Sequence, residues 1–292
     1  MKRIGLIAIL AALAACSVRI DERSVFRPEA HPAPAQTAAE LSRWPLQELR
    51  ETIPDAEARH GFLGAGDERI AYTLVTRESA PAAPDRPLVV YCGGNASDRY
   101  NSGVFYALKA LPYGDVLLFD YPGYGDSPGQ PNAQSFGVMA PRVSALAVEL
   151  AGDRPLVFWG HSLGGFVCSR LARDTPETDG VILETTARNA AEVGQAWRPW
   201  FAPMMRIEIE PSLGGYDVAG ALAHVEAPIL VLGGRRDPTL PVRLSRSLAQ
   251  ALRDEGANVT YVEFPRANHV NVSRQPDFPA TASSFFASIT GQ

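Results

Sequence analysis

Unbroken apolar runs at residues 88–92, 116–119, 156–159, 181–183 and 229–232 alternate with longer stretches where apolar residues return every three or four positions. A run without polar alternation is buried on both faces, and the intervening period is helical. The pattern therefore predicts parallel strands with helices on both sides. A further strand is expected at 259–264, with helices near 100–110, 133–150, 163–173, 242–255 and 278–289. Upstream, β-like runs at 59–63 and 70–76 flank Gly64-Ala65-Gly66-Asp67, which predicts an antiparallel hairpin. Together these make a mostly parallel eight-stranded α/β sheet. Residues 187–225 break the rhythm between the sixth and seventh strands and read as a small cap. Neither a repeat nor a second boundary appears within 57–292, which reads as one domain.

The strand at 156–159 runs directly into Gly160-His161-Ser162-Leu163-Gly164-Gly165. A serine at a sharp strand-to-helix turn sits in strained backbone, and its neighbours must lack bulk for the chain to cross itself. The turn lifts the hydroxyl clear of the sheet and aims the next N–H, that of Leu163, at a developing oxyanion. Ser162 is thus the candidate nucleophile. A hydroxyl is weakly nucleophilic until a base takes its proton, and the base needs an orienting carboxylate. Asp237 follows the run at 229–232 and His269 follows that at 259–264, each just past a strand end. The second oxyanion donor is expected in Gly93-Gly94-Asn95-Ala96, at the Asn95 N–H. Among competing acids, Asp120 is expected to bond loop N–H groups and Asp126 to cap a turn. Glu184 is expected to stand outside the triad. Arg235 and Arg236 read as a solvated pair.

Composition, with 46% apolar and 20% charged residues, suits one large domain. A net charge of −5 with no basic stripe argues against nucleic acid as a partner. Lys2 and Arg3 precede an apolar stretch at 4–12 that is too short to span a bilayer, so residues 1–15 read as a signal peptide. Its removal leaves the body more acidic still. Residues 16–56, with Arg27-Pro28 and His31-Pro32-Ala33-Pro34, read as a spacer carrying a short helix around 38–50. Cys92 and Cys168 both lie in apolar context and are expected as two buried thiols.

Leu13-Ala14-Ala15-Cys16 resembles a bacterial lipobox. That resemblance implies cleavage before Cys16 and its acylation. With Ser17 next, it implies a lipid anchor in the outer membrane, facing the periplasm. Gly93-Gly94-Asn95-Ala96, the loop from Asp120 to Ser127 and the Ser162 turn together resemble the α/β-hydrolase superfamily over about 57–290. Within it they are similar to a membrane-associated serine-hydrolase branch with a His-Gly-Asn oxyanion loop, which includes lysophospholipases and protein depalmitoylases. The sequence departs at Gly93, where that branch commonly has histidine. The resemblance implies an acyl-enzyme route for carboxylic esters or thioesters, with no metal or organic cofactor. The implied substrate is a small-molecule ester, acyl or lysophospholipid-like. Trp197, Trp200, Phe201, Met204 and Met205 in the cap are expected to line an acyl pocket, since methionine and indole accept chains of varied shape. A serine peptidase of this fold and a non-catalytic envelope binding protein are the other classes the pattern allows.

Overall fold

The computed structural model describes residues 17–29 and 34–291. In chain order the strands are β1 (Ser17–Ile20), β2 (Ala56–Leu63), β3 (Ile70–Arg77), β4 (Leu88–Cys92), β5 (Asp115–Phe119), β6 (Leu156–His161), β7 (Thr178–Glu184), β8 (Arg206–Ile209), β9 (Ile229–Gly234) and β10 (Val259–Phe264). The α-helices are α1 (Glu22–Val25), α2 (Ala38–Leu41), α3 (Leu46–Thr52), α4 (Gly103–Ala110), α5 (Ala133–Ala151), α6 (Leu163–Arg173), α7 (Ala190–Trp197), α8 (Val218–Leu222), α9 (Arg243–Asp254) and α10 (Phe278–Thr290).

Eight strands form one sheet in the order β10-β9-β7-β6-β4-β5-β3-β2, and only β3 runs against its neighbours. The unbroken apolar runs now have their cause. Leu88, Val90 and Cys92 of β4 face a core shared with α5, α6 and α9, while Val89 and Tyr91 face one shared with α3, α4 and α10. Both faces are dry, so no strand position there can be polar without a partner. The expected hairpin is β2 and β3, with Ala56 opposite Arg77 and Leu63 opposite Ile70. Asn132 caps α5 by accepting from the Ser135 N–H, while the Ser135 hydroxyl lies 3.1 Å from the Asn132 N–H. The cap between β7 and β9 contains α7, β8, a 3₁₀ turn at Pro211–Gly215 and α8.

Two expectations need correction. Residues 17–29 and 34–56 are packed on the domain, not spaced away from it. β1 pairs in parallel with β8 of the cap, Ser17 opposite Arg206 and Ile20 opposite Ile209. Phe26, Ala35, Leu41, Trp44 and Leu49 are buried, and the helix expected around 38–50 is the separate pair α2 and α3. The second correction concerns Cys92 and Cys168, which form a disulfide across 76 residues. The Ser162 turn folds the start of α6 back over the end of β4, bringing the two Cα atoms to 5.9 Å, within bridging range. Nothing local in sequence carries that proximity. The signal peptide and Cys16 lie outside the described residues, as does His31. Among the described residues, no helix is long and apolar enough to cross a membrane.

Candidate active site

Ser162 caps α6 with φ 54 and ψ −118, a left-handed backbone that a side-chain-bearing residue adopts only under constraint. The constraint is visible. A Cβ at Gly160 would collide with the Gly164 carbonyl, and one at Gly164 with the Cys92 carbonyl. Only glycine allows β4, β6 and α6 to approach this closely. The Ser162 N–H donates to the Glu184 carbonyl at 3.0 Å, and the Thr186 hydroxyl donates to the Ser162 carbonyl at 2.8 Å.

The loops after β9 and β10 bring the expected partners to this turn. His269 Nε2 lies 2.9 Å from Ser162 Oγ, and its Nδ1 lies 2.7 Å from Asp237 Oδ2. The Asp237 side chain is 1% exposed, and its other oxygen accepts from the Thr239 and Leu240 N–H groups at 2.8 Å each. Those bonds fix the carboxylate's orientation, so one oxygen is reserved for the imidazole. In this arrangement a proton can pass from Ser162 Oγ to His269 Nε2 while Asp237 faces the opposite nitrogen.

Sequence reasoning passed over the residues that hold this relay. The His269 carbonyl accepts from His161 Nε2 at 2.9 Å and from the Thr185 hydroxyl at 3.1 Å. Since a carbonyl only accepts, His161 carries its proton on Nε2, leaving Nδ1 buried without a partner among the described residues. Burial pushes the His161 pKa down to about 4, against an opposing pull from Glu184. The Glu184 carboxylate is engaged elsewhere: it accepts from Lys109 Nζ at 2.8 Å and from the Trp159 indole N–H at 3.1 Å. Burial opposes its charge, yet Lys109 and His161 outweigh that and hold the carboxyl below its ordinary range. Sequence offered one signal for His161, its place inside the turn motif, and none for Lys109.

The loop after β4 is tied down from three sides. The Tyr121 hydroxyl donates to the Gly93 carbonyl at 2.7 Å. The Asn95 side chain accepts from the Tyr124 hydroxyl at 2.8 Å and the Arg27 N–H at 2.9 Å, and donates to the Val25 carbonyl at 2.6 Å. Among the described residues the Asn95 backbone N–H donates to no protein acceptor, so it is free for a ligand. The Leu163 N–H lies in the first turn of α6, where helix donors have no partner within the helix. At Gly93 a Cβ would press against the Tyr106 ring, so Tyr106 fills the space a side chain there would need. Behind the loop, Arg99 is 2% exposed and pairs with Asp120 at 3.0 Å and Asp126 at 2.6 Å. Asp120 also accepts from the Asp126 and Arg99 N–H groups, and Asp126 from that of Ala35. Both acids thus bind loop donors, but around a buried arginine that the sequence reading missed.

A profile of the alpha/beta hydrolase fold matches residues 87–226, from β4 through the cap. The chain has the α/β-hydrolase fold. It is 33% identical over 189 residues to an uncharacterised protein of Mycobacterium tuberculosis, covering 63% of each chain. It is 28% identical over 228 residues to lysophosphatidylserine lipase ABHD12 of Rattus norvegicus, covering 70% of this chain and 56% of that one. The matches thus span less than two thirds of the length of these relatives. Among solved structures, the Pyrococcus furiosus esterase Pf2001 superposes with a TM-score of 0.62 at 14% identity, over 91% of this chain and all of that one. The acylaminoacyl peptidase of Pyrococcus horikoshii gives 0.61 at 13%, over 84% of this chain and 43% of that one. Both share the fold.

In this α/β-hydrolase fold, Ser162 and His269 open into a cavity of about 590 Å³. Of the expected pocket residues, Trp197 and Met205 line it. Trp200, Phe201 and Met204 do not; they are 90%, 60% and 70% exposed. Their loop lies between lining residues and turns outward. The missing wall comes instead from Val18, Ile20, Val25 and Phe26, in the segment read as a spacer. The alternation Val18-Arg19-Ile20 was the available signal. Arg235 and Arg236 are exposed, as expected of a solvated pair.

Proposed function

We propose that this chain is a serine hydrolase of carboxylic esters bearing an acyl chain, acting through an acyl-enzyme. The observation that carries the reading is the hydrogen-bonded sequence from Ser162 through His269 to Asp237 at the floor of a largely apolar cavity. His269 takes the Ser162 proton as Oγ attacks the ester carbonyl, and Asp237 stabilises the imidazolium. The N–H groups of Asn95 and Leu163 receive the oxyanion, each such donor contributing about 3 kcal/mol to the transition state. His269 then protonates the leaving alcohol, and water activated by the same imidazole releases the acid.

The substrate class follows from the walls. Val18, Ile20, Phe26, Trp197 and Ile207 offer apolar contact and few polar partners, which suits a single acyl chain such as that of a lysophospholipid. The similarity to a lysophosphatidylserine lipase agrees with this class. The same reading anchors the chain through acylated Cys16 in the bacterial outer membrane, facing the periplasm. A disulfide between Cys92 and Cys168 suits that oxidising compartment.

Steady-state hydrolysis of p-nitrophenyl esters from acetate to dodecanoate tests the proposal. Ser162→Ala is expected to lower kcat/KM by at least about 10⁴ across the series, with unchanged thermal unfolding. Equal rates in the variant would defeat the assignment, and faster turnover of an amide than of its matched ester would favour the peptidase class.

A further inference from the structure

Six large apolar side chains are exposed among the described residues: Val18, Trp197, Trp200, Phe201, Met204 and Val270. Val18, Trp197 and Val270 line the cavity above Ser162. The other three lie in the loop between Arg198 and Met205, both lining residues. Exposed apolar surface is therefore gathered around one mouth, and such gathering marks a contact surface. Trp200 stands edge-on to Phe201 at 5.9 Å, a pair that projects outward without joining either core.

The path of the chain says what covers it. β1 starts at Ser17 opposite Arg206, two residues beyond Met204 in sequence, so Ser17 stands at the base of this loop. Preceding it are the apolar stretch at 4–12 and Cys16.

We propose that the loop at 200–204 is a membrane-docking tip. It seats in the interfacial layer of a phospholipid bilayer beside acylated Cys16, so that the cavity mouth opens onto the lipid surface. An acyl chain then enters the cavity from the bilayer without crossing bulk water. This placement rests on the ester-hydrolase reading of the cavity and on acylation of Cys16.

Three features favour a bilayer over a second copy of the chain. Indole and phenyl rings partition into the headgroup boundary. Arg206, exposed at the foot of the loop and unpaired with any carboxylate among the described residues, lies where phosphate groups would be. The net charge of −5 in the full sequence, more negative once residues 1–15 with Lys2 and Arg3 are removed, makes two copies repel. The same acidity means that anionic lipid cannot be the source of attraction, so docking must be apolar and weakly dependent on salt.

Tryptophan quenching by brominated phosphatidylcholine tests this on the full acylated chain in vesicles. Trp44 and Trp159 are buried, so a loss of emission reports Trp197 and Trp200. Relative to unbrominated vesicles, emission is expected to fall by roughly a third, in 0.1 M and 0.5 M salt alike. Phe201→Ser/Met204→Ser is expected to lose most of that quenching while hydrolysing soluble p-nitrophenyl acetate at the wild-type rate. Ser162→Ala is expected to be quenched like wild type. Quenching with no ester turnover would leave docking intact and sink the hydrolase reading. Vesicle-bound protein without quenching would overturn docking, as would a dimer in sedimentation that the double variant dissolves.

Discussion

The floor and the rim of the cavity are built in different ways. The floor sits on the ends of β6, β9 and β10 in an eight-stranded sheet, and the His269 ring and the Asp237 carboxylate each have at least two hydrogen-bond partners. The rim is held by a ladder four residues long between β1 and β8, together with the bonds Asn95 makes to Val25 and Arg27. A two-stranded ladder of that length is marginal alone, whereas the floor inherits the stability of both cores. The difference separates two tasks. Proton transfer needs positions held to fractions of an ångström, while acceptance of a flexible chain needs apolar walls that can yield.

The largest expected effect lies on the floor. Asp237→Asn should lower kcat by about 10³–10⁴ for acetate and dodecanoate esters alike, because the wrong imidazole tautomer impairs every substrate equally. A loss confined to long esters would blur the distinction between floor and rim. Next comes Arg99→Ala, which strands the buried Asp120 and Asp126 carboxylates behind the oxyanion loop. It should cost about 3–5 kcal/mol of unfolding free energy in urea titration.

His161 gives a smaller and pH-dependent effect. Its pKa, about 4 when folded, lies below the ordinary 6.5, so between these values the unfolded chain binds a proton that the folded chain refuses. Stability is therefore complete above pH 6.5 and declines as pH falls toward 4, by on the order of 3 kcal/mol from this group. Urea titrations at pH 7 and pH 4 should show that decline in the wild type and a smaller one in His161→Gln. The smallest effect belongs to the rim. Trp197→Ala, which removes a lining ring and its bond to the Thr239 carbonyl, should raise KM for dodecanoate about 5- to 10-fold and leave acetate unchanged.

How legible each part was in sequence follows the same division. Five of the eight sheet strands, β4, β5, β6, β7 and β9, could be read because burial on both faces leaves runs such as Leu88–Cys92 with no polar residue. Ser162, Asp237 and His269 could be read because each follows a predicted strand at a glycine-rich or polar break. Trp200, Phe201 and Met204 were misplaced because composition tells that a cap is apolar but not which way its loop turns. The β1–β8 pairing was invisible: two four-residue strands lie 189 residues apart, Ser17 opposite Arg206, and neither carries a pattern that names the other. Buried charge was also hidden. Lys109 and Arg99 sit in unremarkable local sequence and gain their partners only through the fold.

The account stands on Ser162 being the reactive hydroxyl of this molecule. Labelling of the intact chain with a fluorophosphonate, followed by mass spectrometry of the modified peptide, measures that directly. Modification is expected on Ser162, absent in Ser162→Ala and slowed at least a hundredfold, as an order of magnitude, in His269→Ala. Unmodified wild-type protein, or a label that persists in Ser162→Ala, would contradict it.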